Sequence, residues 1–275
     1  MQIFNLIFSK IFEVIFLPFE RLGSWTGMII ASLLTGLLML FIFKHTSNQA
    51  GIRRVKNKIK AHLLELRLFK DSLPVSLRAQ GQIVRANLKY MAYSLRPLMV
   101  MFIPLILILV QLNFWFAYDS LQPDQETLLK VKLKEGVSLM DTPVQLEVPS
   151  GVAVESPPLR LEESNEINWR IRAMEKGVHE LSLTVSGQDY TKTISIGQQQ
   201  LSKISPLKTK RSFWQQLLYP VESAFPKDSP LHSVEIVYSS RNMNLFGWRI
   251  HWLFVYFALS IVFGFSLKGL FGVEI

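Results

Sequence analysis

The side chains of this 275-residue chain that could do chemistry fall into two groups. Ser32, Thr35, Gln111, Ser260 and Ser266 are uncharged polar residues set inside otherwise apolar stretches. Arg53, Arg54, Lys56, Lys58 and Lys60 are five cations within eight residues. Hydroxyls and amides in an apolar helix have two uses. They bond a neighbouring helix or their own backbone, or they line a groove in which a polar stretch of another chain enters a bilayer without losing all its hydration. A cationic run likewise either sets membrane orientation or meets phosphates, in lipid headgroups or in ribosomal RNA.

Other chemistries lack their parts. The chain has no cysteine, which removes disulfides, thiolate metal sites and thiol catalysis. His45, His62, His179, His232 and His251 show no ligand spacing, so no metal and no cofactor is expected. Glu162, Glu163 and Glu166 read as solvated loop charge rather than paired catalytic carboxylates. No nucleophile elbow, P-loop or dinucleotide-binding glycine pattern occurs, and no Asp, Glu, Lys or Arg lies within the apolar windows. The expected activity is therefore not enzymatic.

The elements that must position these groups follow from hydropathy. Leu22–Phe43 and Pro97–Tyr118 are each 22 residues without a charge, and Trp252–Leu267 is a third window of 16, extendable through Leu245–Trp248 if Arg249 snorkels. A helix of about 20 apolar residues crosses a ~30 Å hydrocarbon layer. Trp25, Trp115, Trp248 and Trp252 lie near the window ends, where indoles favour the headgroup region. The expected fold class is thus an α-helical integral membrane protein with three transmembrane helices (22–43, 97–118 and 248–268).

Lys44–Arg96 carries twelve Lys/Arg against two acids, a net +10 that exceeds the +9 of the whole chain. The positive-inside rule places this segment in the cytoplasm, the N-terminus outside and the tail 269–275 in the cytoplasm, most simply in a bacterial inner membrane. Ile52, Val55, Ile59, Leu63, Leu66 and Phe69 recur at helical spacing, as do Val84, Leu88, Met91 and Leu95. With the breaker Asp71-Ser72-Leu73-Pro74 between them, 44–96 reads as an antiparallel coiled-coil hairpin. Residues 1–21 read as an interfacial amphipathic helix ending at Pro18, with Gln2, Asn5, Ser9 and Glu13 on its polar stripe.

Between 119 and 200 the period changes to two. Leu129/Val131/Leu133, Val144/Leu146/Val148, Ile167/Trp169/Ile171, Leu181/Leu183/Val185 and Ile194/Ile196 alternate with polar residues. The expectation is an extracytoplasmic, all-β, immunoglobulin-like sandwich with Trp169 in its core. Residues 201–247 read as a linker with a short interfacial helix at Ser212–Tyr219 and one more strand at Val234–Tyr238.

This order of elements resembles the core of the YidC/Oxa insertase superfamily. Leu17-Pro-Phe-Glu-Arg-Leu-Gly-Ser-Trp25, the stretch to Lys44-His-Thr46, and Arg53–Leu68 leading through the hairpin to Pro97 carry the resemblance, over roughly residues 11–118 plus the last window. Three windows rather than five match the archaeal YidC-like and ER membrane complex insertase-subunit branch. Bacterial members usually place an Arg in the first core span; here Ser32-Leu-Leu-Thr-Gly-Leu-Leu38 has none. The resemblance implies a membrane-protein insertase or chaperone, with membrane lipids, nascent or client membrane proteins and the ribosome as partners. The different-class alternative is a scaffold subunit of an inner-membrane complex whose sandwich binds an extracytoplasmic protein.

Overall fold

The computed structural model describes residues 10–16, 23–197, 201–210, 212–245 and 247–274. Of the expected N-terminal helix, 10–16 is helical (α1), and the remaining positions of that reading lie outside the described residues. The described helices continue with α2 (Ser24–Thr46), α3 (Gln49–Leu68), α4 (Leu73–Phe116), α5 (Phe213–Leu218) and α6 (Trp252–Leu267). α2 and α4 are each long and apolar enough to cross a membrane. The chain divides into two compact units, one of residues 1–28 and 109–252, the other of residues 29–108 and 253–275.

The second unit holds the helical hairpin. Asn48 caps α3, its Oδ1 accepting the Gly51 N–H at 2.8 Å. A Cβ on Gly51 would lie 2.9 Å from the Asn48 side chain, so glycine lets the cap close. α3 ends at Leu68, the Phe69 N–H bonding the Glu65 carbonyl at 2.9 Å, and residues 69–72 turn the chain into α4. Pro74 occupies the first turn of α4, where its missing N–H costs nothing.

Two expectations change here. Pro97 does not divide the hairpin from the second apolar window; α4 runs unbroken for 44 residues with Pro97 and Pro104 inside it. Nor do the two apolar stripes face each other. Ile52 and Val55 are buried, but Val84, Leu88, Met91 and Leu95 are 58–63% exposed. α4 instead turns Ala79, Gln82, Ala86, Lys89 and Tyr93 to the α3 side, because small residues there permit close approach where Ala79 is fully buried.

The first unit is a β-sandwich. One sheet has the order β3 (Val152–Val154), β5 (Glu166–Ala173), β1 (Glu126–Leu133), β9 (Leu231–Ile236), β8 (Leu207–Thr209), with β4 (Leu159–Leu161) also on β5. The other has the order β2 (Val144–Glu147), β6 (Gly177–Val185), β7 (Gln188–Ile196). Alternating residues of both sheets, including Val131, Ile167, Trp169, Ile171, Leu183, Ile194 and Val234, form one core. Ser186 (φ 50°) and Gly187 (φ 79°) make the two-residue turn joining β6 to β7, a mirror-image turn whose twist matches the strands.

The sandwich extends past residue 200, where a linker was expected: β9 pairs with β1, and β8 with β9. The expected helix at Ser212–Tyr219 is α5. Residues 248–251, expected in the third apolar helix, are instead strand β11 (Trp248–His251), paired with β10 (Asn242–Leu245). Gly247 at φ 87°, its N–H bonded to the Asn244 side chain at 3.1 Å, supplies the turn that the hydropathy window hid. α6 therefore keeps 16 residues, about 24 Å of helix.

Candidate functional site

The five polar residues of the apolar windows do not form one group. Ser32 and Thr35 come together on α2, fully or nearly fully buried against α6. Ser32 Oγ donates to the Tyr256 carbonyl at 3.4 Å. Thr35 Oγ1 donates to the Ala31 carbonyl at 2.8 Å and accepts from the Tyr256 hydroxyl at 3.1 Å. One turn on, a Cβ at Gly36 would meet the Ser260 carbonyl oxygen at 3.2 Å and the Gly264 nitrogen at 3.4 Å. Ser32-x-x-x-Gly36 and Ser260-x-x-x-Gly264 thus form the close helix crossing that small residues allow in an apolar setting.

The other members are dispersed. Ser260 is half-buried and Ser266 is exposed. Gln111 belongs to the other unit, buried, with its Oε1 lacking a hydrogen-bond partner. Tyr256 was missed by sequence reasoning. The spacing of its small-residue neighbours was the available signal.

The hairpin supplies the polar concavity. Between α3 and α4 lies a cleft of about 400 Å³ lined by Gly51, Arg54, Val55, Lys58 and His62 on one side and Gln82, Arg85, Ala86, Lys89 and Tyr93 on the other. Both helices contribute residues at i, i+3, i+4, i+7 and i+11, the spacing of a single helical face. Four permanent cations converge here, and no carboxylate lines the cleft. Tyr93 offers an aromatic face, with Lys89 Nζ 5.9 Å from the ring centroid. At one margin His62 Nδ1 lies 3.0 Å from Glu65 Oε2.

Of the five cations singled out in the sequence, only Arg54 and Lys58 face this cleft. Arg53, Lys56 and Lys60 line a second concavity of about 480 Å³ with Asn87, Tyr90 and Glu274. Glu274 is held there by its backbone N–H, which donates to Gln49 Oε1 at 2.7 Å, and by Lys56 Nζ at 3.8 Å. The C-terminal segment therefore packs on the first turns of α3, with Val273 buried.

Concentrated positive charge flanked by low-dielectric walls attracts phosphate or carboxylate groups. Arg54 and Arg85 present planar forks for two-point recognition of such groups, and Lys58 and Lys89 act as point charges. Nothing in the cleft is arranged as a nucleophile with its base.

In the β-sandwich the charges serve the fold. Lys192 is fully buried on β7, bonded to Glu222 and to the Ser205 carbonyl at 2.6 Å. Burial pushes its pKa down, against the opposing pull of Glu222. Arg241 joins three segments, donating to Asp119 Oδ1 at 2.6 Å, to the Trp115 carbonyl at 3.2 Å and to Ser24 Oγ at 3.3 Å. No family model, curated protein or solved structure matches this chain.

Proposed function

We propose that the protein is a non-enzymatic insertase or chaperone for membrane proteins, of the YidC/Oxa type, that receives clients at its hairpin. The observation carrying this reading is the four-cation cleft between α3 and α4. It is built on a helix that continues without a break into a stretch apolar enough to cross a bilayer. On this reading α2, α4 and α6 cross an inner membrane, the hairpin and the tail lie in the cytoplasm, and the sandwich lies outside. The cations meet acidic client segments, ribosomal phosphates or anionic headgroups.

A hydrophilic groove along Ser32 and Thr35 is disfavoured, because Tyr256 occupies both hydroxyl positions. Polar reception is assigned to the hairpin cleft, which α3 and α4 build on the bilayer-directed helix.

The same closed contact favours a second reading, in which α2 and α6 only anchor a scaffold whose sandwich binds an extracytoplasmic partner. Photocrosslinkers placed at Lys58, Arg85 and Thr35 in cells separate the two. Adducts with many nascent membrane proteins from Lys58 and Arg85 support reception. Stable adducts only with one stoichiometric partner, formed from the sandwich and absent from the hairpin, overturn it in favour of the scaffold.

A further inference from the structure

The hairpin leaves one face of α4 uncovered, and that face has an unusually strict pattern. Leu77, Gly81, Val84, Leu88, Met91 and Leu95 are separated by four, three, four, three and four residues, and Leu98 and Phe102 continue the alternation. This is a 3.5-residue period, whereas a straight helix packing on a flat surface repeats at 3.6. Over a heptad the two drift apart by about 20°, so a strict heptad stripe stays on one line only if the helix supercoils around another. The large side chains of the stripe are 56–63% exposed. α3 lies on roughly the opposite side, some 160° around the helix at 3.6 residues per turn.

We infer that two copies of the chain pair in parallel along this α4 seam. The flanking residues suit that direction. Residues 73–96 carry Arg78, Arg85, Lys89 and Arg96 and no acid, so self-pairing must keep these apart. Arg78 and Arg85 both occupy one flank of the seam, and Gln80, Asn87 and Ser94 occupy the other. Parallel pairing sets the two flanks against each other, so that Gln80 of one copy, not an arginine, stands at the flank position opposite Arg85 of the other. Antiparallel pairing would lay the charged first half of α4 against the apolar second half, which two copies inserted in one membrane with the same sidedness cannot do, so the direction rests on the proposed topology.

Seven large seam side chains, each opening roughly 100 Å² of apolar surface, supply about 700 Å² per copy against the ~800 Å² per partner of a stable interface. Five of them, Leu77 to Leu95, precede the stretch proposed to cross the bilayer, and Leu98 and Phe102 continue the seam by packing in lipid. Gly81 is the one gap: a Cβ there meets nothing within 4 Å.

The chain has no cysteine, so single substitutions report the geometry without background. In a parallel pair each seam residue lies beside its own copy, within disulfide range. The full-length protein in nanodiscs carrying Leu88→Cys or Met91→Cys should oxidise to a linked dimer, and Lys89→Cys, turned toward α3, should link at least tenfold less. Leu88→Glu should take the particle from two chains to one, and Gly81→Leu should restore or raise the dimer. Equal linking at Lys89, a mass unchanged by Leu88→Glu, or linking only between Leu88→Cys and Met91→Cys chains mixed together overturns the parallel pair. A single-chain mass with a Met91 fluorophore quenched by nitroxide lipids assigns the seam to the membrane surface and overturns it as well. A single-chain mass with crosslinks only to other proteins assigns the seam to clients.

Discussion

Glu222→Gln tests how the 201–230 connection is bound to the sandwich. The substitution keeps shape and removes charge, leaving the Lys192 ammonium with no exposure to water and only neutral acceptors, the Ser205 carbonyl and the new amide oxygen. Breaking one half of a buried pair costs about 3–5 kcal/mol. For a domain of this size that lowers the midpoint of thermal unfolding by roughly 10–25 °C. Pulse proteolysis of the full chain in detergent, scored on fragments from the sandwich, measures the change. Removing the second charge as well, as Lys192→Met with Glu222→Gln, should recover most of the loss, since the penalty belongs to the uncompensated ion.

The deficit should also depend on pH. Burial already depresses the Lys192 pKa, and without Glu222 the depression deepens. A base whose folded pKa lies below its unfolded value gains stability as pH rises, so the Glu222→Gln deficit should narrow between pH 7 and 10. A single-variant loss under ~1 kcal/mol, or a double variant as weak as the single, would refute the assignment of the pair as a buried clamp.

Other outcomes follow from the same geometry. Tyr256→Phe removes the hydroxyl donated to Thr35 and should cost about 0.6 kcal/mol, up to ~1.7, read as earlier thermal aggregation in detergent. Gly36→Leu forces a side chain against the α6 backbone and should cost about 1–3 kcal/mol by the same assay; an unchanged profile contradicts the close crossing. His232 has its pKa lowered by burial and then by Lys210 and Lys132. Its contribution is therefore present above its unfolded pKa and lost as pH falls through the folded value, so His232→Gln should flatten the fall in sandwich stability below about pH 6.5. Lys58→Ala or Arg85→Ala should each reduce retention of anionic lipid about fivefold in native mass spectrometry, at ~1 kcal/mol per cation, with neutral lipid unaffected.

Much of this architecture was legible because the signals were periodic. Alternation located β1, β5, β6 and β7 and put Trp169 inside, since a strand between core and solvent must alternate. The three-residue strands β3 and β4 are too short to show a period. Trp248–His251 resembled the start of a helix because its neighbours are apolar; only a positive φ at Gly247 makes the turn. In the hairpin, the stripe at Val84, Leu88, Met91 and Leu95 was visible, but an apolar stripe does not say which neighbour covers it. The cations showed a comparable limit. Arg53 and Arg54 are adjacent in sequence and share the concavity beside Lys268, yet a helix turns about 100° per residue, so only Arg54 also reaches the cleft with Lys58. Arg85 and Lys89 lie about thirty residues further on, and only the return of the chain in α4 brings them opposite Arg54 and Lys58.

The unbroken α4 has a mechanical consequence. Its first 24 residues, to Arg96, form an arm about 36 Å long that ends at Pro97. A proline inside a helix deletes one backbone bond and is where such a rod bends. A 10° change of bend at Pro97 carries the far end of the arm through about 6 Å, more than a full helical turn of rise. Small deformations at one residue are thereby geared up into displacements at the hairpin tip as large as a side chain.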